Sequence, residues 1–115
     1  MVRGDIHLVD LEPVRGSEAD KQRPAVIVSN DGANATAGRL GRGVVTVVPV
    51  TANTARVYPF QVLLLADASG LAVDSKAQAE QVRSISVERL GAQVGRVDTD
   101  AMASLDEALR LHLAL

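Results

Sequence analysis

The sequence predicts a small α+β fold, a strongly curled antiparallel β-barrel with one helix appended at its C-terminus. Three observations predict it. Short β-branched apolar runs recur at close spacing and are separated by turn chemistry. Only the last stretch changes to a three- and four-residue apolar period. The 115 residues are 47% hydrophobic yet include one Tyr, one Phe and no Trp, so Val, Leu, Ile and Ala must fill the core. A chain of this length builds one core without staples, and residues 1–115 read as a single domain.

Ile6, Leu8 and Leu11 mark a first strand that enters near Asp5 and ends by Pro13. Residues 13–24 carry Pro13, Gly16, Ser17 and mixed charges, which is loop chemistry. Ala25 to Ser29 (AVIVS) is too short and too β-branched for a helix and reads as a buried strand, with Pro24 tolerated at its mouth. Residues 31–43 (DGANATAGRLGRG) are rich in Gly and Ala and read as irregular, with a helical turn at most. Val44 to Val50 (VVTVVPV) is the clearest strand, and Pro49 places its end at an edge or bulge. Pro59 to Ala66 is a further strand, followed by a turn at ADASG. LAVDSKAQ and AEQVRSI form one long strand or two short ones, and AQVGRV, residues 92–97, completes the sheet. Asp98 can cap a helix at its N-terminus. Behind it Met102, Leu105, Leu109, His112 and Leu113 share one helical face. Acids early and Arg110 and His112 late suit the helix dipole.

Composition excludes several functions. There is no cysteine, so disulfides and thiolate metal sites are absent. No apolar run approaches membrane-spanning length and the first ten residues lack a signal-peptide core. The expectation is a cytoplasmic protein that binds no membrane. The formal net charge of −2 does not announce a nucleic-acid binder. From Val14 to Arg42, however, five basic residues face three acidic ones, a local excess of +2. His7 and His112 lie far apart with no ligand spacing, and the sequence has no HExxH or DxD pattern, so no metal and no cofactor is expected. Neither histidine sits where a Ser-His-Asp base would be held. GRLGRG, residues 38–43, lacks the Lys and the strand–helix context of a phosphate loop.

What remains is KQRP before one apolar strand and VPVT at the end of another. Such ends can converge at one rim of a small barrel. A guanidinium donates two bonds to phosphate oxygens and stays cationic at any working pH. A threonine adds a neutral donor. Cleaving RNA needs little more, because the substrate carries its own nucleophile, the 2′-OH. Spacing alone does not carry the claim and favours the plainer reading, Arg23 as an exposed loop charge and Thr51 as an ordinary strand-end hydroxyl.

Taken together, GDIHLVDLEP, RGSE, KQRPAVIVSND, VVPVT, YPFQVLL and AEQVRSISVERL resemble the MazF/PemK toxins of type II toxin–antitoxin pairs, from Gly4 to the C-terminal helix. The resemblance implies an SH3-like barrel of PemK/CcdB type and a homodimeric, metal-independent, sequence-specific endoribonuclease. It would cut single-stranded RNA (mRNA, or a tRNA or rRNA loop) to 2′,3′-cyclic phosphate and 5′-hydroxyl ends. It implies Arg23 and Thr51 as catalytic residues, Glu18 as a base or loop-ordering acid, and Ser17, Asn30, Glu80 and Gln81 as residues lining the RNA groove. It implies a MazE-like antitoxin whose disordered, acidic and apolar C-terminal tail covers that groove. Residues 31–42 are then expected to stay mobile until RNA or antitoxin orders them. His7 departs from the pattern, since Trp or Tyr is common there, and leaves Tyr58, Phe60 or His7 to stack on bases. Two other readings share the fold: a CcdB-like gyrase poison acting through its C-terminal helix, and an inactive paralogue that binds RNA or antitoxin.

Overall fold

The computed structural model describes residues 1–11 and 22–115. Seven strands form it: β1 (Asp5–Asp10), β2 (Gln22–Ile27), β3 (Val44–Thr51), β4 (Gln61–Leu64), β5 (Ser75–Gln78), β6 (Arg83–Ser86) and β7 (Leu90–Arg96). Three helices accompany them, α1 (Asp31–Leu40), α2 (Ala66–Ser69) and α3 (Thr99–Leu113), with single 3-10 turns at Ala79–Gln81 and Val87–Arg89. Every pairing is antiparallel, in the order β4-β5-β3-β2-β1-β7, and β6 joins β3 on the edge that β5 also uses. Among the described residues β4 and β7 are the two ends of that order. The sheet therefore curls without closing.

Curling buries both faces of the central strands. Val26 and Val48 face a cluster under α3 that includes Ile6, Val62 and Leu105. Their neighbours Ala25, Ile27 and Val47 face a second cluster that includes Val9, Val45, Ile85 and Ala37 of α1. A strand buried on both sides has no polar alternation to show, which is why AVI is uninterrupted. On α3, Leu105 is fully buried and Ala108 nearly so. Removing the Leu105 side chain from water contributes roughly 2 kcal/mol. Asp98 caps this helix, accepting from Ala101 N at 2.8 Å. Its stripe ends sooner than the spacing predicts, because Leu113 and His112 are exposed.

Two expectations need correction. Residues 31–40 are a ten-residue helix, not an irregular segment. Asn30 Oδ1 caps it by accepting from Ala33 N at 2.8 Å, and Gly41, at φ 65°, ends it. Asn34 is buried and locked to Ser29, accepting its hydroxyl at 2.5 Å and donating to its carbonyl at 2.9 Å. That anchoring removes the basis for a segment that waits for a ligand. The second correction concerns β2, which begins at Gln22 rather than Ala25. Arg23 thus lies inside a strand, paired with Val9 of β1, not ahead of one.

The N-terminus is tied to α1 and α3. Arg3 Nη2 meets Asp106 Oδ1 at 2.6 Å, and Arg3 N donates to Asp31 Oδ1 at 2.7 Å. The Arg3 N–H holds the Asp31 carboxyl below its ordinary value of 3.8, helped by the Asn34 amide and by the charges of Arg3 and Arg96. A carboxyl lowered by folding stabilises the fold above its ordinary pKa, and that contribution fades as pH falls through the lowered value. Asp31→Asn is therefore expected to lower the urea midpoint at pH 7, with the gap to wild type closing in acid as pH falls through the lowered value. A gap that is the same at both pH values would contradict this linkage.

Candidate active site

Two prolines shape the site. The ladder between β2 and β3 runs from Ile27↔Val47 to Ala25↔Pro49 and is recorded no further. Pro24 and Pro49 lack the N–H that would extend it. Continuing the same register by two residues sets Arg23 opposite Thr51, both on the face that carries Ala25. Each is held from its outer side, Arg23 by Val9 of β1 and Thr51 by Lys76 of β5. Extended in this way, the ladder would open as a notch between two paired half-sheets, with the Arg23 guanidinium on one lip and the Thr51 hydroxyl on the other.

Val9, across from Arg23, is fully buried, whereas Arg23 itself is exposed and makes no ion pair with a described residue. Its charge is available to a ligand. Thr51 is half-buried, and its Oγ1 accepts from Asn53 N at 3.3 Å. Used as an acceptor there, the hydroxyl keeps its proton to donate.

More cationic side chains surround the notch. Arg89 Nη1 donates to the Asp10 carbonyl at 3.3 Å and Arg83 Nη1 to the Leu11 carbonyl at 2.9 Å. Both sit on the end of β1, just past Val9, and neither pairs with a carboxylate among the described residues. Lys76 is buried beside Thr51. These charges cluster although the whole chain is acidic, and such a cluster attracts a polyanion. The sequence reading missed all three. The only signal for Arg83 and Arg89 was their spacing in VRSISVER, and nothing marks Lys76 in DSKAQ.

The other expected residues distribute unevenly. Ser17 and Glu18 lie outside the described residues. Glu80 and Gln81 occupy the 3-10 turn after β5, on the same side of β3 as Lys76. Glu80 Oε2 accepts from Gln61 Nε2 at 2.6 Å, while Oε1 is buried with no hydrogen-bond partner among the described residues. Gln81 is exposed. Asn30 is not brought to the notch within this chain. Its neighbour Val28 bonds to Thr46 O, at the opposite end of β3 from Thr51, about 17 Å away along the strand. Its side chain caps α1 instead. His7 Nδ1 lies 3.0 Å from Gly91 O, a carbonyl that can only accept, so Nδ1 donates there. Among the described residues, no group of three or more His, Asp or Glu side chains converges, and no helix is long and apolar enough to cross a membrane.

Residues 2–113 match the family described as PemK-like, MazF-like toxin of type II toxin-antitoxin system. The chain is 69% identical over 115 residues to Endoribonuclease MazF9 of Mycobacterium tuberculosis (strain ATCC 25618 / H37Rv), covering 100% of this chain and 98% of the relative. It is 34% identical over 117 residues to Endoribonuclease EndoA of Bacillus subtilis (strain 168), covering 98% and 94% respectively. Its fold matches the structure of an endoribonuclease in complex with its cognate antitoxin from a mycobacterial species, with a TM-score of 0.75 at 25% identity over 100% of this chain and 96% of that one. An open, curled antiparallel sheet with a C-terminal helix, matched along its whole length, places the chain in the PemK/MazF family of toxins of type II toxin–antitoxin systems.

Proposed function

We propose that this toxin is a sequence-specific endoribonuclease that cuts single-stranded RNA in the cytoplasm, without a metal, at the Arg23–Thr51 notch. The observation that supports the site assignment is the β2–β3 register, which, continued two residues past Ala25↔Pro49, brings Arg23, with no ion pair among the described residues, toward the hydroxyl of Thr51. The strand threads the notch with one phosphate between the two lips. The 2′-oxygen of the preceding nucleotide loses its proton and attacks phosphorus, and the bond to the 5′-oxygen breaks. Arg23 binds the non-bridging oxygens as negative charge builds on them, and Thr51 donates to the same group. The 5′-oxygen leaves with a proton, so the ends are a 2′,3′-cyclic phosphate and a 5′-hydroxyl. Glu18, which the family resemblance marks as acidic and functional, is assigned the 2′-OH proton, since an arginine is too weak a base. Gln81, exposed on the same 3-10 turn as Glu80, offers an amide to the edge of an unpaired base.

The partners follow from the same notch. It opens where the β2–β3 ladder ends, in the middle of the strand order, and the toxin acts as a homodimer with two such sites. A MazE-like antitoxin would lay an acidic, apolar tail across each and cover Arg23 with a carboxylate. The relative of known structure was solved with its cognate antitoxin. A gyrase poison is not favoured: the relatives over the full chain are named endoribonucleases.

The test is digestion of a long single-stranded RNA in excess EDTA, with the ends mapped. Discrete cuts bearing cyclic-phosphate and 5′-hydroxyl ends are expected. RNA left intact by a folded protein, or 5′-phosphate ends, would refute the assignment.

A further inference from the structure

Residues 52–60, which follow Thr51, are irregular, yet side chains beneath hold them at nearly every second residue. Thr51 Oγ1 accepts from Asn53 N at 3.3 Å, and Asn53 Oδ1 accepts from Ala55 N at 3.2 Å. Lys76 Nζ donates to the Arg56 carbonyl at 2.6 Å. Gln61 Oε1 accepts from Tyr58 N at 3.2 Å, and Gln61 in turn donates to Glu80. Tyr58 stacks on Phe60 with ring centres 5.3 Å apart and planes 5° from parallel. Lys76 Nζ also sits over the Tyr58 ring, 5.8 Å from its centre. Above this scaffold Asn53, Arg56 and Tyr58 are exposed.

Lys76 is the member that folding alone does not explain. It is only 7% exposed and forms no ion pair with a described residue. Burying an ammonium costs far more than burying a methionine of similar length, and one carbonyl with one ring face offsets only part of that. Its place is also specific, since it is the cross-strand partner of Thr51. Building on the ribonuclease reading above, we propose that Lys76 is a positioning residue for substrate specificity. It clamps the 52–60 loop beside Thr51, so that Asn53, Arg56 and Tyr58 form a preset edge for the nucleotide next to the scissile phosphate. That edge offers an amide for a base, a guanidinium and an aromatic ring, the chemistry that reads one unpaired ribonucleotide. Fixing it in advance removes the ordering cost on binding.

The test compares wild type, Lys76→Met and Tyr58→Leu on RNAs randomised around a mapped cut, in EDTA. For both variants, discrimination at one nucleotide position beside the cut is expected to fall roughly tenfold. KM should rise by more than kcat falls, because the loop holds the strand beside the scissile phosphate rather than the phosphate itself. A role confined to stability would lower the melting temperature and leave discrimination as it was. Wild-type discrimination at every position in a folded Lys76→Met protein overturns the proposal. Should that variant not fold, the same result in Tyr58→Leu, altered at an exposed ring, overturns it. A wild type that cuts nothing would refute the ribonuclease reading instead. The clamp is then judged by binding of 2′-O-methyl oligonucleotides, read from the emission of Tyr58, the single tyrosine in a chain without tryptophan. Base-dependent emission changes that Lys76→Met abolishes are expected, and their absence in the wild type overturns the proposal.

Discussion

Replacing Arg23 with Ala is expected to lower single-turnover RNA cleavage by about 10²–10³-fold while leaving the melting temperature within a degree or two of wild type. The activity loss follows from the transition state. Charge grows on the phosphoryl oxygens as the 2′-oxygen attacks, and a fixed cationic fork there stabilises that state more than the ground state. The unchanged stability follows from the side chain's surroundings. Arg23 is exposed and has no ion pair among the described residues, so its truncation orphans no buried group. Arg23→Lys keeps the charge but loses the two-pronged geometry, and should recover only part of the rate. Melting curves beside single-turnover rates check both halves. A variant that unfolds, or one that cuts at the wild-type rate, would remove Arg23 from the site.

The largest effect on stability is expected at Gly95. A Cβ added there would lie 2.3 Å from the Ser69 carbonyl oxygen, with the Ser69 carbonyl carbon at 3.4 Å and Ile6 Cδ1 at 3.5 Å. The obstacle is backbone, the last residue of α2 pressed against β7, and neither side can turn away as a flexible side chain would. Ser69 is buried, its N and Oγ both donate to Leu65 O, and Gly70 beside it takes φ 82° to end the helix. Gly95→Ala should therefore cost about 3 kcal/mol, which for a chain of this size lowers the melting temperature by roughly 10 °C. Well below that temperature the folded variant should still cut RNA normally, because Gly95 pairs with Ile6 of β1 and touches no residue of the notch. An alanine variant that melts with wild type would show that α2 shifts freely off the sheet.

The parts of the fold that were legible in the sequence are those where one physical signal dominates. VVTVVPV reads as a strand because Val after Val is buried on both faces, and β3 runs one residue beyond the predicted end. Asp98 reads as a cap because nothing else explains an acid just ahead of an apolar helical period. The helix at 31–40 was not legible. It holds Gly32 and Gly38, and Ala37 is its one buried apolar residue, so it has no stripe to detect. Its stability comes from a cap and a buried asparagine, which are tertiary facts. The start of β2 was misplaced because Pro24 looks like a boundary, and proline is tolerated there only since the β3 ladder stops beside it.

The site divides in the same way. Arg23 and Thr51 were named from motif resemblance, but their juxtaposition needs the β2–β3 register, which no single segment contains. Lys76 was invisible for the converse reason. A lysine in a short polar stretch reads as a solvated surface charge, and only the curl of β5 under the 52–60 loop buries it. Asn30 matched the motif, and within this chain its Oδ1 caps α1, a tertiary role the motif does not reveal.

The central claim is that the substrate's own 2′-oxygen attacks a phosphate held between Arg23 and Thr51. It is tested most directly with one RNA of known cut site that carries a single 2′-deoxy substitution at the nucleotide 5′ to the cut. Binding and cleavage would be measured with wild-type protein in EDTA. The account predicts binding close to that of the unmodified strand and no cleavage at that site. Continued cutting there would mean that another nucleophile, such as water, is activated, and the mechanism assigned to Arg23 and Thr51 would be wrong.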